Sequence, residues 1–155
     1  IGPVIADAGL EAIKAYLGRR PSQKTYAEAT AMRAALMEGF DNVPDDRWAE
    51  EVRLHYVETE SGLDITYDPK LRDAVLAAGA QQVPDLWPFF DALGGLPLAL
   101  IRGANSNLLS AETAAEMRRR RPDMVFADVP DRGHVPFLDE PESVQAFQTW
   151  WAQLP

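Results

Sequence analysis

Cysteine is absent from the 155 residues. That excludes a disulfide framework, a thiolate nucleophile and any metal site built on sulfur. Histidine is almost as scarce. His55 and His134 are the only two, and with no H-x-x-x-H or H-E-x-x-H spacing no metal site is expected. Basic charge is in deficit, with 15 Lys and Arg against 24 Asp and Glu and a formal net charge of −9. Neither nucleic acid nor an anionic membrane is expected as a partner on that balance. No apolar run approaches membrane-spanning length, and nothing at the N-terminus reads as a signal peptide. A soluble, cytoplasmic protein is the expectation. Internal repeats and low-complexity stretches are missing too.

What is present is the material of one domain, with a hydrophobic fraction of 46%. Ala8 to Leu17 reads as a helix with Leu10, Ile13 and Leu17 on one face, ended by Gly18 and Pro21. Thr25 and Glu28 have the spacing of a capping box, and Met32, Leu36 and Phe40 follow at intervals of four. Pro44 opens a third helix carrying Trp48, Val52 and Tyr56. Residues 58–67 read as a loop with a short extended piece at Asp64–Tyr67, and Asp68-Pro69 starts another helix. Pro84 to Phe90 sets Trp87, Phe89 and Phe90 beside two prolines, leading to a short helix that ends near Leu93. The acidic run from Asp41 to Asp46 lacks the alternating oxygen ligands of a calcium loop and reads as a solvated helix start.

From Leu98 the pattern changes. Two short apolar runs, Leu98–Ile101 and Met124–Val129, bracket a helical segment from Ala111 to Arg120. Strand, helix and strand over some thirty residues form a βαβ unit with parallel strands. Ser110 suits the helix N-cap, and Arg118 to Arg121 complement the negative end of the helix dipole. A final helix begins at Asp139-Glu140-Pro141-Glu142, with Val144, Phe147, Trp151 and Leu154 as its expected buried face. Two parallel strands do not make a stable sheet on their own, because such sheets are covered on both faces and need several strands. A third stub at Ile1–Pro3 is the one addition the sequence offers. The pattern therefore reads as the end of a larger sheet.

The loops that follow the two strands carry the chemistry. After the first comes Arg102-Gly103-Ala104-Asn105-Ser106-Asn107-Leu108-Leu109. After the second comes Gly133-His134-Val135-Pro136, then Asp139-Glu140-Pro141. This constellation resembles the cap-bearing α/β hydrolases, in which a loop of the form R-G-x-x-S-D-x-L supplies the triad acid and a G-H-x-P loop supplies the base. The block upstream resembles that family's cap, and Ile1-Gly2-Pro3 resembles the end of its sixth strand. The resemblance implies an α/β fold. Residues 4–94 would form an all-helical cap, and 95–155 the C-terminal part of the hydrolase core.

By the same resemblance His134 is the general base and Asn107 stands at the acid position, where the family has Asp. An amide orients an imidazole only in part and hardly stabilises its charged form. The acid is therefore expected after the sixth strand or from Asp128 or Asp131, unless the protein is non-catalytic. Trp87, Phe89 and Phe90 are candidates for substrate contact or for packing, and His55 reads as a solvated helical residue. The nucleophile elbow G-x-S-x-G and the oxyanion hole belong to the family's first half. None of Ser22, Ser61, Ser106, Ser110 and Ser143 has an elbow context.

The expected function is hydrolysis of an ester, lactone or related small substrate through an acyl-enzyme, with no cofactor. This chain alone would be inactive. Its partners would be a small-molecule substrate and either the missing N-terminal half or a second copy. The alternatives are a non-catalytic ligand-binding protein of hydrolase type and a dehalogenase of the same fold.

Overall fold

The computed structural model describes residues 2–79 and 84–155. In chain order the elements are α1 (Asp7–Tyr16), α2 (Tyr26–Leu36), α3 (Asp45–His55), β1 (Tyr56–Thr59), β2 (Gly62–Ile65), α4 (Leu71–Gly79), α5 (Trp87–Asp91), β3 (Ala99–Gly103), α6 (Ala111–Arg120), β4 (Val125–Val129) and α7 (Pro141–Trp151). They fall into two compact units. The first comprises Ile1–Leu10, Gly39–Asp41 and Pro84–Pro155, and the second Glu11–Glu38 and Asn42–Val83.

The first unit contains the βαβ motif. β3 and β4 pair in parallel, with Leu100 opposite Phe126 and Arg102 opposite Asp128. Ser110 caps α6 by accepting the N–H of Thr113. Phe90, Leu109, Met117 and Met124 form the core, with Trp87, Leu98 and Leu100 packed against them. The arginines at the end of α6 each find a partner. Arg118 lies over the Phe126 ring, Arg119 and Arg120 pair with Glu116, and Arg121 is buried against Asp123 and the carbonyls of Leu93 and Leu96.

Two expectations for this unit need correction. The α7 face made of Val144, Phe147, Trp151 and Leu154 is exposed, Trp151 by 71%. The helix buries Ser143 and Ala146 instead, because small side chains let it lie close to the two-stranded sheet. Trp150 anchors it by donating from Nε1 to the Pro97 carbonyl at 3.1 Å. The expected third strand is not found either. Ile1 lies outside the described residues, Gly2 and Pro3 are not in a strand, and the sheet has two strands among the described residues.

The second unit has its own small core of Ala29, Val52 and Leu63, flanked by Tyr26 and Tyr56. The capping box forms as its spacing predicts, with Thr25 accepting from Glu28 and Glu28 accepting in return. Trp48 and Val52 are buried on α3, also as expected. The stripe on α2 is different. Leu36 is 68% exposed, while Ala29 supplies the contact, because the smaller side chain brings α2 and α3 together. Nor is this block all-helical. Residues 56–65 form an antiparallel hairpin, with Tyr56 opposite Ile65 and Thr59 opposite Gly62. The alternation that would announce it is short, and its one buried side chain is Leu63. No described helix is long and apolar enough to cross a membrane.

Candidate active site

Two loops leave the C-terminal ends of β3 and β4 side by side, the position where parallel sheets keep their reactive groups. Their backbones touch. Ala104 N–H donates to Val129 O at 2.8 Å, and Asn105 N–H to Arg132 O at 2.9 Å. Gly103 makes this approach possible, since a Cβ there would run into the carbonyl oxygens of Gly133 and Arg132.

Arg102 braces the first loop from below. Buried on β3, it donates from Nε to Leu109 O and from Nη1 to Asp128 Oδ1, both at 2.8 Å. Asp128 is its cross-strand neighbour in the register. Of the substitute acids considered from the sequence, Asp128 is thus committed to an ion pair within the sheet.

Glu140 braces the second loop. Its carboxylate accepts from Phe137 N–H and Leu138 N–H at 2.9 Å, from the Ser143 hydroxyl at 2.9 Å and from Arg132 Nε at 3.0 Å. Burial alone would raise its pKa, but these donors outweigh burial and hold the carboxyl below its ordinary 4.5. The residue at the N-cap position of α7 thus spends its carboxylate on the loop, with no capping bond to a backbone N–H of the helix.

A third segment, Gly39–Asp41, ties both loops together. Asn105 Nδ2 donates to Gly39 O at 3.0 Å, Asp41 N–H to Asp131 O at 3.0 Å, and Arg132 Nη1 to Asp41 O at 3.0 Å. The Phe40 ring sits 5.3 Å from that of Phe137. Sequence reasoning put Phe40 on a helical stripe and missed this role. The local signal was Gly39, which takes φ +80 and whose missing Cβ leaves room for Asn105 and Gly133.

His134 is half-buried at the meeting point of the loops. Its Nδ1 lies 3.4 Å from the hydroxyl of Ser106. Burial lowers its pKa below the ordinary 6.5, so the imidazole is neutral at neutral pH and able to accept a proton. Asn107, one residue beyond Ser106, is exposed, and among the described residues no hydrogen bond joins its side chain to His134. The expected His134–Asn107 pairing is thus replaced by His134–Ser106. The sequence sets Ser106 at the serine of the R-G-x-x-S-D-x-L pattern, yet nothing in that pattern assigns it a contact with the imidazole.

The aromatic candidates separate. Phe90 is in the core, and Trp87 packs edge-on against it at 5.9 Å beneath the Arg120 guanidinium. Phe89 is 68% exposed. None of the three makes a ring contact or hydrogen bond with His134 among the described residues. His55 lies on α3, with Nδ1 2.8 Å from Glu51 O. No cluster of His, Asp and Glu suited to a metal occurs among the described residues.

A parallel βαβ unit whose second strand leads to a histidine loop, locked onto the loop after the first strand, is the C-terminal part of an α/β-hydrolase fold. The chain has that fold. No protein-family model matches it. It is 34% identical over 152 residues to a 3-hydroxybutyrate-oligomer hydrolase from Cupriavidus necator, which covers 93% of this chain and 52% of the relative. A crystal structure of an α/β hydrolase from Novosphingobium aromaticivorans matches 99% of this chain and 55% of its own, with a TM-score of 0.89 and 33% identity. The structure of E-2-(acetamidomethylene)succinate hydrolase matches 98% of the chain and 55% of its own, with a TM-score of 0.75, and at 23% identity shows the fold alone. The chain spans about half the length of these relatives.

Proposed function

We propose that this chain supplies the general base of an α/β hydrolase acting on small esters. The observation that carries the reading is the seat of His134. It is a half-buried, neutral imidazole on the loop after β4, with one ring nitrogen turned to the loop after β3. The other nitrogen, Nε2, has no hydrogen-bond partner among the described residues and is the atom that would meet a nucleophile.

In this mechanism a serine hydroxyl from a nucleophile elbow attacks the ester carbonyl carbon while Nε2 of His134 takes its proton. The imidazolium then returns that proton to the departing alcohol, leaving an acyl-enzyme. Water then attacks the acyl carbon while Nε2 takes its proton, and the imidazolium returns a proton to the serine oxygen as the acyl–serine bond breaks and the acid leaves. The elbow and its oxyanion donors would come from a segment other than these residues. Asn107 faces solvent and Asp128 is held by Arg102, which leaves Asp131 or a carboxylate from another segment as the triad acid. Of the three aromatic candidates, Phe89 is the one left exposed and free for substrate.

The relative's named substrate suggests the class. An oligomer of 3-hydroxybutyrate is a row of esters between a carboxyl and a secondary alcohol, a good match to this chemistry. The exposed row Val144, Phe147, Trp151 and Leu154 and the open edges of the two-stranded sheet are where the rest of such a hydrolase, or a second copy, would pack. The test is hydrolysis of 3-hydroxybutyrate dimer and p-nitrophenyl butyrate by the chain together with the elbow-bearing segment. Release of monomer and a burst of nitrophenol are expected. Turnover of a haloalkane in place of both esters, or no turnover at all, would overturn the reading.

A further inference from the structure

We infer that Ser106 is a positioning residue that holds the resting His134 in the tautomer carrying its hydrogen on Nε2. The argument is an account of one hydroxyl. The Ser106 oxygen accepts the N–H of Leu109 at 3.1 Å and, more weakly, that of Leu108 at 3.4 Å. Those two donors occupy both lone pairs. Ser106 is buried, so its own hydrogen needs an acceptor. Amide N–H groups cannot accept, and among the described residues the acceptor within reach is Nδ1 of His134, at 3.4 Å. A nitrogen that accepts is unprotonated, which places the ring hydrogen on Nε2.

The catalytic meaning of this rests on His134 being the base. A base at Nε2 must have that atom bare and its hydrogen on Nδ1. Ser106 therefore keeps the site at rest until a carboxylate reaches Nδ1 and displaces the serine hydrogen. An Asp at position 107 would be one source of that carboxylate, and Asn107 does not provide it. The loop is thus built to wait for an acid from elsewhere in the enzyme.

Nitrogen NMR of the imidazole in the intact protein, above the His134 pKa, tests this without an activity assay. The expected spectrum of the unsubstituted protein shows Nδ1 bare and Nε2 protonated as a single tautomer. Ser106→Ala should give averaged shifts from a tautomer mixture, and Ser106→Thr, which keeps the hydroxyl, should restore the single form. A hydrogen on Nδ1 in the unsubstituted protein, or identical spectra with and without the hydroxyl, would overturn the proposal. Should Ser106→Ala unfold, the unsubstituted and Ser106→Thr spectra still decide. Failure of the base reading appears separately, as hydrolysis that survives loss of His134.

Discussion

Replacing His134 by Ala should lower kcat for ester hydrolysis by about 10⁴-fold or more, with the protein still folded. The magnitude follows from the size of triad deletions in serine hydrolases, where losing the base leaves only substrate binding and oxyanion stabilisation. The ring is half-buried on a loop that Glu140, Arg132 and the backbone of Gly103 already hold. Its removal should therefore reduce stability by no more than about 1–2 kcal/mol, the typical effect of a partly buried substitution. KM should change little, because the imidazole acts in the transition state. His55→Ala is the control. That residue is on α3, and among the described residues its side chain pairs with Glu51 of the same helix, so its loss should leave turnover intact. Steady-state kinetics on p-nitrophenyl butyrate with the elbow-bearing segment present, and circular dichroism for folding, measure both.

The second large effect is expected at Gly103. A Cβ added there falls onto the Gly133 carbonyl oxygen and within 2.8 Å of the Arg132 carbonyl carbon. These are backbone atoms of the histidine loop and cannot rotate away. Gly103→Ala must push the two loops apart, which breaks the Ala104–Val129 and Asn105–Arg132 bonds and moves His134 from Ser106. The destabilisation should be about 3 kcal/mol, the upper range for an overpacked site. For a chain of this size that is a fall in Tm of roughly 6–12 °C. Gly95→Ala separates contact from conformation. Gly95 takes φ +81 in open space, so Ala there bears only backbone strain of about 1 kcal/mol. Calorimetry should rank Gly103→Ala well below Gly95→Ala, and equal losses would mean that the loops are not held by this contact.

Much of the fold was legible because local rules and tertiary packing agree there. The βαβ pattern, the Ser110 cap, the capping box at Thr25 and the dipole-matched arginines all express short-range chemistry that the sequence states directly. The misreadings share one cause. Hydrophobic periodicity marks a face as apolar without saying what covers it, and so Val144, Phe147 and Trp151 were assigned to a core that these residues do not build. Leu36 failed in the same way, since a small residue, Ala29, makes the contact between α2 and α3. The hairpin at Tyr56–Ile65 was obscured because four-residue strands with one buried side chain barely alternate.

The candidate site was half legible. His134 stands in a frame of glycine and proline that the sequence displays, and Glu140 is visible as a carboxylate at a helix start. The contribution of Gly39–Asp41 was not, because it joins loops 66 and 91 residues away through its backbone groups, which carry no side-chain signature. Ser106 was hidden for a related reason. A serine that completes a turn and a serine that touches an imidazole look alike until the ring is placed.

The seat of His134 is what the account depends on, and its titration by proton NMR tests that seat most directly. A half-buried imidazole resists protonation, so its midpoint should lie below 6.5. The sign carries over to stability. Below pH 6.5 the unfolded chain gains a proton that the native ring refuses, so this contribution is present above 6.5 and is lost as pH falls through the folded-state pKa. A midpoint below 6.5 that moves back to it in Gly103→Ala is the predicted result. A midpoint at or above 6.5 would contradict the half-buried seat between the two loops from which this account starts.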